Sequence, residues 1–174
     1  MTHSPSISHL PIGTARKLPH LPVVARTSAV LLGTALLLLC GGRASADKIS
    51  ITVATSTIRF QDSNPDLTPS VPAVENPVAV SVDFSGNGTW VLQVIANGDL
   101  ISGAEVIPIN RVSWTSSGAA FVPGTLSKSS GQTVASGGKS NTPFNGSLRF
   151  FLQNSWNYAT GNYGQSLTFT AVSF

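Results

Sequence analysis

Residues 78–95, VAVSVDF followed by SGNG and then TWVLQVI, constrain the fold more than any other stretch. Val78, Val80, Val82 and Phe84 alternate with Ala79, Ser81 and Asp83, and the alternation resumes after the turn with Trp90, Leu92 and Val94. A period of two marks a half-buried strand on each side of residues 85–88. Asn87-Gly88 is a strong tight-turn signal, because these residues adopt the positive φ that two-residue hairpin turns require. The stretch therefore predicts a β-hairpin with one apolar face, and such a hairpin needs a second sheet to cover it.

The preceding segment predicts export. Arg16, Lys17 and Arg26 come first, then the apolar run 28–39 (SAVLLGTALLLL), Cys40, two glycines, and Ala44-Ser45-Ala46. That order of charge, apolar run and small residues is the pattern of a secretory signal, with cleavage expected after Ala46 and Ala44 at the other small position. Membrane anchoring is the competing reading, but twelve residues span roughly 18 Å as a helix, short of the ~30 Å hydrocarbon core. A lipoprotein through Cys40 would require a small residue where Leu39 stands. The expected domains are thus a helical signal peptide at 1–46 and a secreted domain at 47–174, with no membrane span in the mature form.

Removing the leader changes the chemistry on offer. His3, His9, His20 and Cys40 all precede residue 47, so the remaining chain has neither histidine nor cysteine. Six basic residues then face seven acidic ones, a net charge of −1. A nucleic-acid partner, which needs clustered Lys and Arg, has no support. No disulfide is available either, so packing alone must stabilise a domain of ordinary single-core size.

Along residues 47–174 the pattern is strand after short strand. Residues 47–60 read as a first strand, with Ile49, Ile51 and Val53 on one side. Residues 61–77 hold Pro65, Pro69, Pro72 and Pro77, which exclude a helix or a central strand. Asn97-Gly98-Asp99 marks a turn. Short strands are expected at 104–109, placed at an edge by Pro108, and at 111–115, where Val112 and Trp114 share a face. A weak strand is expected at 132–135, a stronger one after Asn145-Gly146 with Leu148, Phe150 and Leu152 inward, and a last one at 166–173 with Leu167, Phe169 and Ala171 inward. No helical period appears. The fold class is all-β, an antiparallel two-sheet sandwich of seven to nine strands, immunoglobulin-like in the broad sense but without the antibody disulfide.

Without His or Cys the common triads, thiol dyads and zinc sites cannot be built, so no enzyme, metal or cofactor is expected. The seven carboxylates sit mostly in turns or on polar strand faces, where solvation is their ordinary role. Asp62-x-Asn64-x-Asp66 opens like a calcium loop, but Leu67 replaces the required Gly and Ala73 the bidentate Glu, so it reads as a turn. Trp90 and Trp114 fall in phase with inward residues and read as core. Trp156, Tyr158 and Tyr163 stand where alternation is weak (NSWNYATGNYG) and are the candidate ligand-binding residues, either an exposed platform for sugar rings or another protein, or an aromatic cap on one end of the sandwich.

Trp90-Val91-Leu92 resembles the first motif of the WxL domain of bacterial cell-surface proteins. Residues 163–171, YGQSLTFTA, are similar in spacing to that family's terminal motif, with Phe169 where the family has Trp and Ala171 where it has Leu. Residues 161–164 running into a Thr-rich last strand also resemble pilin-like and spore-coat-like bacterial sandwiches. These resemblances imply an exported, non-enzymatic surface protein, structural or cell-wall-associated, that meets peptidoglycan or another surface polysaccharide. The alternatives are a pilin-like subunit that self-associates by strand exchange, with residues 48–60 as donor, and a carbohydrate-binding module.

Overall fold

The two apolar runs flanking residues 85–88 are strands, yet they do not pair with each other. The computed structural model describes residues 47–174, and the expected signal segment with Ala44 and Ala46 lies outside them. In chain order the strands are β1 (Lys48–Val53), β2 (Thr57–Phe60), β3 (Ser70–Pro72), β4 (Val78–Ser85), β5 (Trp90–Ala96), β6 (Leu100–Ser102), β7 (Glu105–Ile107), β8 (Val112–Ser117), β9 (Gly124–Thr125), β10 (Gln132–Gly137), β11 (Phe144–Gln153) and β12 (Tyr163–Ser173), with a 3-10 turn at Ile109–Arg111. One antiparallel sheet runs β1-β4-β11-β8-β9, with β3 beside the end of β11; the other runs β10-β5-β12-β6-β7, with β2 beside β12. The two sheets pack face to face as an all-β sandwich, with more strands than the seven to nine expected because residues 47–60 divide between the sheets and the short β3, β6 and β9 form where no strand was expected.

The first correction is the predicted hairpin. β4 lies between β1 and β11, whereas β5 lies between β10 and β12, so residues 85–88 carry the chain from one sheet to the other. Positive φ occurs at Gly103 and Gly118, not at Asn87 or Gly88, so the tight hairpin turn is not formed. The corner is tied from outside instead. Asn87 donates its backbone N–H to the Asp47 carboxylate (3.3 Å) and accepts from Lys139 Nζ (3.1 Å). A Cβ on Gly88 would collide with the Phe174 carbonyl oxygen, which explains the glycine better than φ does. Both runs still point Val, Phe, Trp and Leu inward, now from opposite sheets across one core.

The second correction concerns residues 47–60. They are two strands: β1 pairs with β4 in one sheet and β2 with β12 in the other, the chain crossing at residues 54–56. Backbone bonds pin the crossing at both ends, Ala54 N–H to Ala79 O (2.9 Å) and Leu167 N–H to Ser56 O (2.7 Å).

Local chemistry accounts for the remaining departures. In β10 a bulge between Thr133 and Ala135 turns both Val134 and Ala135 inward, which strict alternation would not allow. The strand expected to open at Asn145-Gly146 is β11, which starts at Phe144; Gly146 is needed because a Cβ there would strike Phe121 and the Ser117 carbonyl. β11 pairs with β4 up to Leu148 and with β3 from Phe151. The Asn76 amide bridges the step, donating to Phe150 O (2.7 Å) and accepting from Phe150 N–H (2.8 Å).

The core contains Trp90, Leu92, Trp114, Phe60, Phe150, Leu148 and Leu167, all buried, and no polar or charged residue among the described ones is buried with them. Phe144 meets Trp90 edge to face at 5.0 Å, and Phe150 lies 6.3 Å from Trp114. Phe169 and Ala171 are only half-buried, at the margin shared with Ile49, Ile51 and Val53. β12 has β2 beside it only over residues 163–166, so that side of the sandwich is less covered further along.

Candidate ligand-binding site

Two loops at one end of the sandwich, residues 61–69 and 154–162, enclose a pocket of about 270 Å³. The ends of five strands supply its apolar floor: Phe60, Val71, Ile107, Leu152 and Tyr163. Prolines explain why the first loop is not a strand, and its shape is set by one side chain. Asn64 accepts the Asp66 N–H at its Oδ1 (2.9 Å), while its carbonyl accepts the Leu67 and Thr68 N–H groups (3.1 and 2.8 Å). The Asp62-x-Asn64-x-Asp66 sequence is therefore a side-chain-stabilised turn.

Asn154 joins the second loop to the first. Its Nδ2 donates to Ser63 O (3.0 Å) and Thr68 O (3.2 Å), and its backbone N–H donates to Pro69 O (2.9 Å). Nothing in the sequence pattern singles out Asn154, since it belongs to no motif and no alternation. Asn162 makes a second link, its Oδ1 accepting the Asp62 N–H at 3.2 Å.

Trp156, Tyr158 and Tyr163 all line this pocket, in three different roles. Trp156 is 66% exposed at the mouth, and its indole N–H is fixed by Asp66 Oδ1 at 3.0 Å. Tyr158 is half-buried against the core. Tyr163 corrects the platform reading: it is 5% exposed and forms floor, its hydroxyl donating to Ala159 O at 2.8 Å. Burial, then the charges of Glu105 and Asp62, push the Tyr163 phenol above its ordinary pKa. Trp156 is thus the exposed aromatic of the three and Tyr163 the buried one. Gln61, Ser63, Asn64 and Asn154 add amide and hydroxyl groups, and Asp62 is the one carboxylate in the lining.

Apart from Tyr163, the residues that carry the family resemblance lie elsewhere. Trp90 and Leu92 on β5 stand opposite Ser173 and Ala171 on β12, and Val94 and Ala96 opposite Phe169 and Leu167. The two motif segments are thus neighbouring strands facing the core, and Trp114 faces the same core from β8 in the other sheet. No described helix is long and apolar enough to cross a membrane. Comparison of the chain with protein-family models, curated proteins and solved structures finds no match.

Proposed function

We propose that this chain is a non-enzymatic exported protein of the cell surface, structural or wall-associated, whose sandwich end holds a sugar ring of peptidoglycan or another surface polysaccharide. The observation that carries the reading is Trp156, an exposed indole already immobilised by Asp66 over a pocket with an apolar floor and amide walls. A fixed aromatic face stacks on the apolar face of a pyranose with little side-chain entropy left to lose, while amides and hydroxyls meet ring hydroxyls. The volume of about 270 Å³ lies at the small end for ligand pockets, which suits one ring of a polymer. The leader sequence supports export. A single lining carboxylate supports binding without turnover, since glycoside hydrolysis uses a pair.

The test is sedimentation of purified protein with isolated cell walls and with insoluble polysaccharides. Co-sedimentation that Trp156→Ala abolishes, without a change in melting, supports the reading; retention unchanged by Trp156→Ala overturns it.

A further inference from the structure

Resting on the sugar-binding reading, we infer that the pocket selects by charge and prefers a sugar unit bearing a free amine, with uronate-, phosphate- or sulfate-bearing units excluded. Lysine and arginine are absent from the lining, and its one charged side chain is the Asp62 carboxylate. That carboxylate has no hydrogen-bond or ion-pair partner among the described residues, only its backbone N–H being engaged by Asn162. Asp66 holds the mouth indole through one oxygen. Burial first, and then the charges of Glu105 and Asp62, hold the Tyr163 phenol at the floor above its ordinary pKa.

The neighbouring cations are occupied or stand aside. Arg59 pairs with Glu75 at 2.6 Å, and Arg111 donates to Gln153 at 3.2 Å, outside the lining. An ammonium entering the pocket finds two groups that favour a cation in the same lining, the indole face of Trp156 and the carboxylate of Asp62. An anionic substituent meets the same field with the opposite sign and finds no donor of positive charge. Neutral N-acetylated units retain the stacking and lose the ionic part.

The probes are glucosamine oligomers, N-acetylglucosamine oligomers and oligogalacturonate, titrated into the purified protein by calorimetry at low salt. The expected order is amine over N-acetyl by roughly fivefold, the size of an exposed cation–π contact with a screened ion pair, and no detectable binding of the uronate. Asp62→Asn brings the amine to N-acetyl ratio close to one. An unchanged ratio in Asp62→Asn, N-acetyl binding equal to or tighter than amine binding, uronate binding, or no binding of the amine probe overturns the charge inference. Wall binding lost in Trp156→Ala leaves the sugar reading standing through any of these outcomes, so the two fail separately.

Discussion

Gly137 on β10 lies directly against the indole of Trp90 on β5: a Cβ at Gly137 would come within 2.9 Å of Trp90 Cζ2 and 3.1 Å of Nε1. Trp90 is fully buried, with Phe144 against it and the sheet behind, so it has nowhere to retreat. Gly137→Ala is expected to cost about 1–3 kcal/mol by overpacking. Gly138→Ala is the control, since its Cβ would meet only the Gly88 carbonyl at 3.7 Å. Urea midpoints of the two variants decide the point, and equal midpoints would refute the close contact.

The two core tryptophans should respond differently to loss of the indole N–H. Trp114 donates its N–H to the Val122 carbonyl at 2.9 Å, whereas Trp90 Nε1 is buried without a partner among the described residues. Trp114→Phe loses volume and strands a carbonyl, while Trp90→Phe loses volume and removes an orphan donor whose burial itself costs about 1–3 kcal/mol. Trp90→Phe should therefore be the milder of the two, and Trp90→Ala should cost about 3–5 kcal/mol by cavity formation. Denaturant melts that rank the two Phe variants the other way would refute this.

Asp66→Ala tests the fixed indole. Asp66 is exposed and touches Trp156 at the surface, so stability should move by less than about 0.5 kcal/mol. Freeing the indole restores its rotamer entropy in the unbound state, and glycan affinity should fall about two- to tenfold. Binding titrations check the affinity, and tryptophan fluorescence anisotropy of a Trp90→Phe, Trp114→Phe background checks the indole's mobility.

Asp99 links stability to acid. Its carboxyl is held below the ordinary value of 3.8 first by the Lys128 ammonium at 2.5 Å and then by the Ile109 N–H at 3.0 Å. A folded pKa below the unfolded one means the contribution is fully present above pH 3.8 and disappears as pH falls through the lowered folded value. Asp99→Asn should thus be less stable than wild type at neutral pH, with the gap closing in the acid range. Urea midpoints from neutral pH down to about pH 2 measure it, and a gap independent of pH would assign the difference to packing.

The sheet class was legible in the alternation, because inward residues read the same whichever strand they pair with. Pairing was not legible for that same reason. Val82 and Phe84 on β4 and Trp90 and Leu92 on β5 carry one pattern for a hairpin or for a corner between sheets, and the choice falls to Asp47, Lys139 and Phe174, distant in sequence from the turn. The bulge that buries Val134 and Ala135 together breaks the period locally and reads as a weak strand. At the site, Trp156, Tyr158 and Tyr163 stood out because aromatic residues are conspicuous in a polar loop. Asn154, which holds the loops together by donating to three backbone carbonyls, looks like any other loop asparagine.

The last prediction concerns residues 47–60 and assembly. Among the described residues β1 is the end strand of its sheet, and β12 has no neighbour on β2's side beyond residue 167, so these margins are where another chain would pair. Exchange of β1 and β2 between molecules would first have to break both the β1–β4 and β2–β12 pairings, together with the bonds at Ala54 and Ser56. It would also have to expose Ile58 and Phe60, each 1% exposed in the core. Intramolecular closure keeps those contacts without the entropy of association. Deleting residues 47–60 should therefore give an unfolded or aggregated product, and Phe60→Ala in the full chain should cost about 3–5 kcal/mol. Light scattering across a concentration series and circular dichroism of the deletion variant provide the readout. A deletion variant that remains folded, and that captures an added peptide of residues 48–60, would establish strand exchange in place of closure.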